Sequence, residues 1–196
     1  MGMWVNASTI ISGFFMNLLS IFLSIYLVVQ VADKRNTEDS RMMHLAGLAF
    51  QMGFLVGPFM HVLVETQPKI LLQALLYTGC AFTSFSAISL LSKRRSMLFL
   101  GSIIVTMVQG MILYRLLGWL TGYATFGIGY MMFGLFIACL YIIYDTQVIV
   151  ERAERGDMDV PTHTMLLFID LFELFIRILK ILMELSKEKD NDRRRR

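Results

Sequence analysis

Charge, cysteine and histidine are all scarce in this chain. Only 17% of its 196 residues are Asp, Glu, Lys or Arg, against roughly 25% in soluble domains, and that deficit excludes an ordinary water-soluble globule. The two cysteines, Cys80 and Cys139, both fall inside long apolar runs, which excludes a disulfide framework and leaves them as small core residues. The three histidines, His44, His61 and His163, have no paired ligand spacing, which argues against a zinc site. A P-loop, a dinucleotide glycine fingerprint, an HExxH pair and a nucleophile elbow are missing as well. No enzyme chemistry and no cofactor is therefore expected. The net charge of +3 is concentrated in loops and in the tail Ser186–Arg196, so no nucleic-acid partner is expected either.

What fills the chain is apolar: 56% of it is hydrophobic. Short charged clusters separate six candidate membrane segments, approximately Ile10–Ala32, Met42–Val64, Leu71–Leu91, Ser96–Leu116, Thr125–Val150 and Thr164–Leu185. Each is close to the roughly 20 residues that cross a hydrocarbon core as a helix. The runs are continuous, about twice the length of a barrel strand and without its alternation, so strands are disfavoured. The expected fold is all-α, a polytopic membrane helical bundle in a lipid bilayer, with one membrane-embedded domain over residues 1–185 and a basic tail over 186–196. The first run follows Met1–Thr9, has no basic segment before it and exceeds a signal-peptide core, so it reads as a retained span.

Basic residues orient such a bundle, because short cytoplasmic loops are enriched in Lys and Arg. Lys34, Arg35 and Arg41 mark the first loop, Lys93, Arg94 and Arg95 the third, and Arg152 and Arg155 the fifth. The second offers only Lys69 and the fourth only Arg115 near its start. Odd loops are then cytoplasmic, and Met1 lies on the opposite side. Six full crossings would return the C-terminus to that side too, yet the tail carries Lys187, Lys189 and Arg193 to Arg196. A last segment that is central, short or re-entrant resolves the conflict and leaves the tail cytoplasmic. Its charges Asp170, Glu173, Arg177, Lys180 and Glu184 recur every three or four residues, opposite Leu171, Leu174, Phe175, Ile178 and Leu182. That is an amphipathic stripe, with Glu173–Arg177 and Lys180–Glu184 as expected i,i+4 pairs.

Small residues read as packing. Gly53 and Gly57 form a GxxxG step before Pro58, and Gly127, Gly129 and Gly134 punctuate the fifth segment. Thr83, Ser84, Ser86 and Ser89 read as hydroxyls satisfied by their own helix backbone.

Asp145 and Asp170 are the residues that demand a function. A carboxylate at membrane depth costs roughly 2.5 kcal/mol or more to insert, so it faces a partner, a wet cavity or a transport path. Two of them brought close share a proton and sense pH. Arg41, Lys34, Arg35 and Arg177 are candidate cationic partners, and His163, bordering the Asp170 segment, is a secondary titrating candidate. The ionised pair also attracts Ca²⁺, but calcium takes about six to eight oxygens, so two carboxylates make a weak transit site rather than a store. The plainer reading is two carboxylates satisfied by helix ends and an arginine. An intramembrane aspartyl protease is disfavoured, since Asp170 lies in Phe168-Ile169-Asp170-Leu171 rather than a GxGD element, and a PAL motif is absent.

The stretch Tyr144-Asp145-Thr146-Gln147-Val148-Ile149, continued by Glu151-Arg152-Ala153-Glu154-Arg155-Gly156-Asp157-Met158-Asp159, resembles the Bax-inhibitor family, the transmembrane Bax inhibitor motif proteins. Ile169-Asp170-Leu171-Phe172, Leu45-Ala46-Gly47-Leu48-Ala49-Phe50 with Gly57-Pro58, and Arg94-Arg95-Ser96-Met97-Leu98-Phe99-Leu100-Gly101 extend the resemblance over most of the chain. It implies a seven-helix bundle around a central final helix. It also implies residence in the endoplasmic reticulum membrane, suppression of apoptosis and pH-sensitive passage of calcium. The family's aspartyl dyad maps onto Asp145 and Asp170, with Arg41 in the place of its arginine. Ile10–Ala32 corresponds to the family's second helix, so the first family helix is expected to be lacking. The competing expectation is a non-transporting interaction protein that binds cell-death regulators or other membrane channels through its helices and basic tail.

Overall fold

The computed structural model describes residues 2–92, 99–122 and 127–195. Those residues form six helices: α1 (Gly2–Ala32), α2 (Glu38–Thr66), α3 (Pro68–Leu91), α4 (Leu100–Thr121), α5 (Ile128–Glu154) and α6 (Val160–Arg195). Every expected segment is helical, and α2, α3, α4 and α5 are each long and apolar enough to cross a membrane. α1 contributes a shorter apolar stretch, Leu18–Ala32. The expected third-loop cluster Lys93–Arg95, with Ser96–Leu98 of the Arg94–Gly101 motif, lies outside the described residues, as does Thr125 at the expected start of the fifth segment.

The helices run past the apolar runs that announce them, because a backbone entering the headgroup region still satisfies its own polar groups best as helix. Three cations expected in loops are therefore helical. Arg41 stands near the start of α2, Lys69 in the first turn of α3 and Arg115 within α4. The second loop shrinks to Gln67, whose N–H bonds the Leu63 carbonyl at 2.8 Å, with Pro68 opening the next helix. Helix α6 continues through the segment expected as a tail.

The chain divides into two compact units, Met1–Val62 with Val160–Met165, and Leu63–Asp159 with Leu166–Arg196. In the first, Leu27 and Val31 of α1 and Leu45 and Leu48 of α2 are buried, and Gly47 lets the Leu27 side chain approach to 3.6 Å of its Cβ position. A polar clamp joins the same helices: the Gln51 amide nitrogen donates to the Ser20 carbonyl at 2.7 Å and lies 3.0 Å from the Ser24 hydroxyl.

In the second unit α5 packs against α3 and α4. Ile137, Ala138, Ile142 and Ile143 of α5 are buried, as are Leu174, Ile178, Leu179 and Ile181 of α6. The apolar stripe of α6 thus faces protein, unlike that of a plain lipid-facing span. Outward, Leu72, Leu75, Leu76, Leu116, Leu117 and Trp119 are exposed. Such a surface suits hydrocarbon rather than water.

Close approach falls at one glycine the pattern suggested, Gly134, and at one it did not, Gly101. Among the described residues nothing lies within 4 Å of a Cβ position at Gly53, Gly57, Gly127 or Gly129, so the GxxxG step packs nothing. Its neighbours Phe50 and Phe54 are exposed, which places that stripe on the outer surface. Gly101 and Gly134 carry the contacts instead, against Tyr144 and Arg177. Cys80 is exposed rather than core, and Cys139 is half-buried. Thr83 bonds its own helix at the Gly79 carbonyl as expected, but Ser89 reaches across to the Ile143 carbonyl at 2.8 Å.

Candidate functional site

Three helix faces of the second unit line an open cavity of about 440 Å³. Helix α4 supplies Val108, Met111, Ile112 and Arg115; these recur every three or four residues, which is one helical face. Tyr141 and Asp145 project from α5 at i,i+4. Asp170, Glu173 and Arg177 follow the same spacing along α6, so the charged stripe read from the sequence lines a cavity.

Asp145 and Asp170 are brought together here, and they interact electrostatically. Asp170 is 7% exposed and its Oδ2 is buried with no hydrogen-bond partner among the described residues. Such an oxygen wants a donor, an ion or a proton, because an unsatisfied buried acceptor costs about 1–3 kcal/mol. Asp145 is half-buried.

Arg177 is paired with Glu173, one turn back: Nε donates to Oε1 at 2.8 Å and Nη2 bonds the same oxygen. The expected Glu173–Arg177 pair is therefore present, whereas Glu184 pairs with Lys187 at 3.7 Å instead of with Lys180. A Cβ on Gly134 would overlap the Arg177 guanidinium, so this glycine is the seat that lets the side chain lie against α5.

Arg41 and His163 belong to the other unit. Arg41 is buried, donating through Nε to the Val31 carbonyl at 2.6 Å and through Nη2 to the Thr162 hydroxyl at 2.8 Å. The first bond caps a carbonyl in the last turn of α1, which no residue of its own helix can satisfy. His163 has a buried Nε2 with no hydrogen-bond partner among the described residues.

Glu173, Tyr141 and Arg115 complete the cavity, and sequence reasoning did not assign them to it. The spacing of Glu173 from Asp170 carried the signal for the first. Arg115 had none, because only helix packing turns α4 toward α6. Among the described residues no three of His, Cys, Asp or Glu gather closely enough to hold a metal ion. Asp145, Asp170 and Glu173 all line the cavity.

Residues 1–187 match the family model described as "Inhibitor of apoptosis-promoting Bax1". The chain belongs to the Bax-inhibitor family. It is similar to Bax inhibitor 1 of Mus musculus, with 34% identity over 98% of this chain and 82% of that protein. Bax inhibitor 1 of Homo sapiens is 32% identical over 93% of this chain and 77% of its own length. Bax inhibitor 1 of Arabidopsis thaliana is 36% identical over 70% and 56%. No solved structure matches the chain. Family membership and the four long apolar helices make this a multi-pass membrane protein, in which the Bax-inhibitor resemblance at Tyr144–Ile149 and Ile169–Phe172 falls on the two walls of the cavity that carry Asp145 and Asp170.

Proposed function

We propose that this Bax-inhibitor protein is a pH-sensitive calcium leak of the endoplasmic reticulum membrane that lowers stored calcium and so restrains apoptosis. The observation that carries the reading is a cavity in the second unit lined by Asp145, Asp170 and Glu173. Calcium takes about six to eight oxygens, more than the two carboxylates of the dyad supply, so water completes coordination and binding stays weak enough for release. Protonating Asp145 or Asp170 removes a negative charge from the cavity they share with Arg115 and Arg177, and α6 loosens against its neighbours. Flux then rises as pH falls.

Calcium flux by the purified full chain in liposomes across a pH series tests this. The parent is expected to show a pH-dependent flux, and Asp145→Asn and Asp170→Asn each a flattened profile; unchanged flux and profile in both variants would falsify the dyad mechanism. A competing reading, an interaction protein acting through its charged C-terminal end, draws on the exposed Lys187, Glu188 and Lys189. Removal of residues 186–196 separates the two. Lost cell protection with intact flux supports interaction, and retained protection that needs the dyad supports transport.

A further inference from the structure

We infer that Arg177 sets the ionic selectivity of the cavity, acting as a fixed positive charge that opposes divalent more than monovalent cations. The inference rests on the calcium-leak reading and names a determinant within it.

The guanidinium lines the same cavity as the three carboxylates. It is tethered, not free to swing: Glu173 holds it from one turn back on α6, and on α5 the bare backbone of Gly134 receives it where any Cβ would overlap it. The methyl group of Met111 lies 3.5 Å from the same Cβ position, so α4 closes the seat from a third side. A long side chain loses rotamer freedom when fixed, so a surface ion pair alone rarely orders it. Here a missing side chain on the facing helix makes the room. A fixed charge interacts with a passing ion in proportion to that ion's valence. Whatever factor Arg177 imposes on K⁺, it imposes the square of that factor on Ca²⁺.

Removing this charge at about 10 Å in a wet cavity is expected to raise K⁺ flux about threefold and Ca²⁺ flux about tenfold. The experiment measures both fluxes in liposomes for the parent, Arg177→Gln, Arg177→Lys and the double variant Glu173→Gln with Arg177→Gln. Arg177→Gln should raise the Ca²⁺/K⁺ ratio. Arg177→Lys and the double variant, which restore the net charge, should return it toward the parent value. An equal rise for both ions, or a rise that persists in the double variant, overturns the inference, because it reports a loosened bundle rather than a charge. If Arg177→Gln does not fold, Gly134→Ala is read instead; it keeps every charge but unseats the guanidinium, and an unmoved ratio there is equally decisive. Absence of any flux from the parent sinks the calcium-leak reading together with this one, whereas parent flux with an unmoved ratio sinks this one alone.

Discussion

Gln147→Leu is expected to destabilise the folded bundle by about 1–2 kcal/mol, measured by reversible unfolding in mixed micelles. The Ser89 carbonyl lies in the last turn of α3, where the helix leaves its carbonyls without full intrahelical partners. The Gln147 amide of α5 donates to it, while the Ser89 hydroxyl donates back to the Ile143 carbonyl at 2.8 Å. Ser89 is fully buried and Gln147 is 4% exposed, so no solvent replaces a lost donor. Hydrogen bonds between membrane helices average only about 0.6 kcal/mol, since the separated helices find other partners. Ser89→Ala should cost about that much, because it removes a hydroxyl and strands nothing. Gln147→Leu costs more, as it leaves a buried carbonyl with only its long 3.3 Å bond from the Ser92 N–H, a donor shared with the Ile88 carbonyl. Gln147→Glu should be worse than Gln147→Leu at neutral pH, since it sets an acceptor against an acceptor in the same volume. Equal stability of parent and Gln147→Leu would show that the α3–α5 contact does not depend on this bond.

Gly101→Leu is expected to cost about 2–3 kcal/mol in the same assay. A Cβ at Gly101 would stand 2.8 Å from Cε2 and 3.0 Å from Cζ of Tyr144. For Gly101→Ala the overlap is partly offset by up to about 1 kcal/mol of helix propensity, and less in a first turn such as this one. A leucine has no further propensity to set against its extra volume. Tyr144→Leu in the same chain removes the obstructing ring, so the double variant should be more stable than the sum of its singles predicts. Strict additivity would mean that α4 and α5 do not meet through this pair. Since Tyr144 precedes Asp145, a shifted ring also disturbs the cavity wall, and under the proposed calcium leak Gly101→Ala should alter flux without touching any charged group.

Much of the architecture was legible because it follows from local chemistry. Continuous apolar runs dictated helices, and their interruptions located the connections to within several residues. The i,i+3 and i,i+4 spacing of Asp170, Glu173 and Arg177 identified one face of the last helix, and the Glu173–Arg177 pair followed from it. Helix ends were read less well. Arg41, Lys69 and Arg115 looked like loop residues because a hydropathy pattern marks the hydrocarbon boundary, whereas hydrogen bonding carries the helix beyond it.

The packing glycines were misread for a related reason. A GxxxG step permits close approach without supplying a partner, and Gly53 and Gly57 have none within reach among the described residues. Gly134 looked no different in sequence, yet it seats an arginine from a helix some forty residues away.

By itself, the sequence determined that this chain is a helical membrane protein of the Bax-inhibitor family and that Asp145 and Asp170 needed an explanation, because transfer free energy and helical period act residue by residue. Tertiary structure alone decided that the two carboxylates share a cavity with Glu173, Arg115 and Arg177, and that Gln147 and Ser89 join α3 to α5. Those outcomes depend on how helices rotate and approach one another, and rotation about a helix axis is set by partners that no single segment encodes.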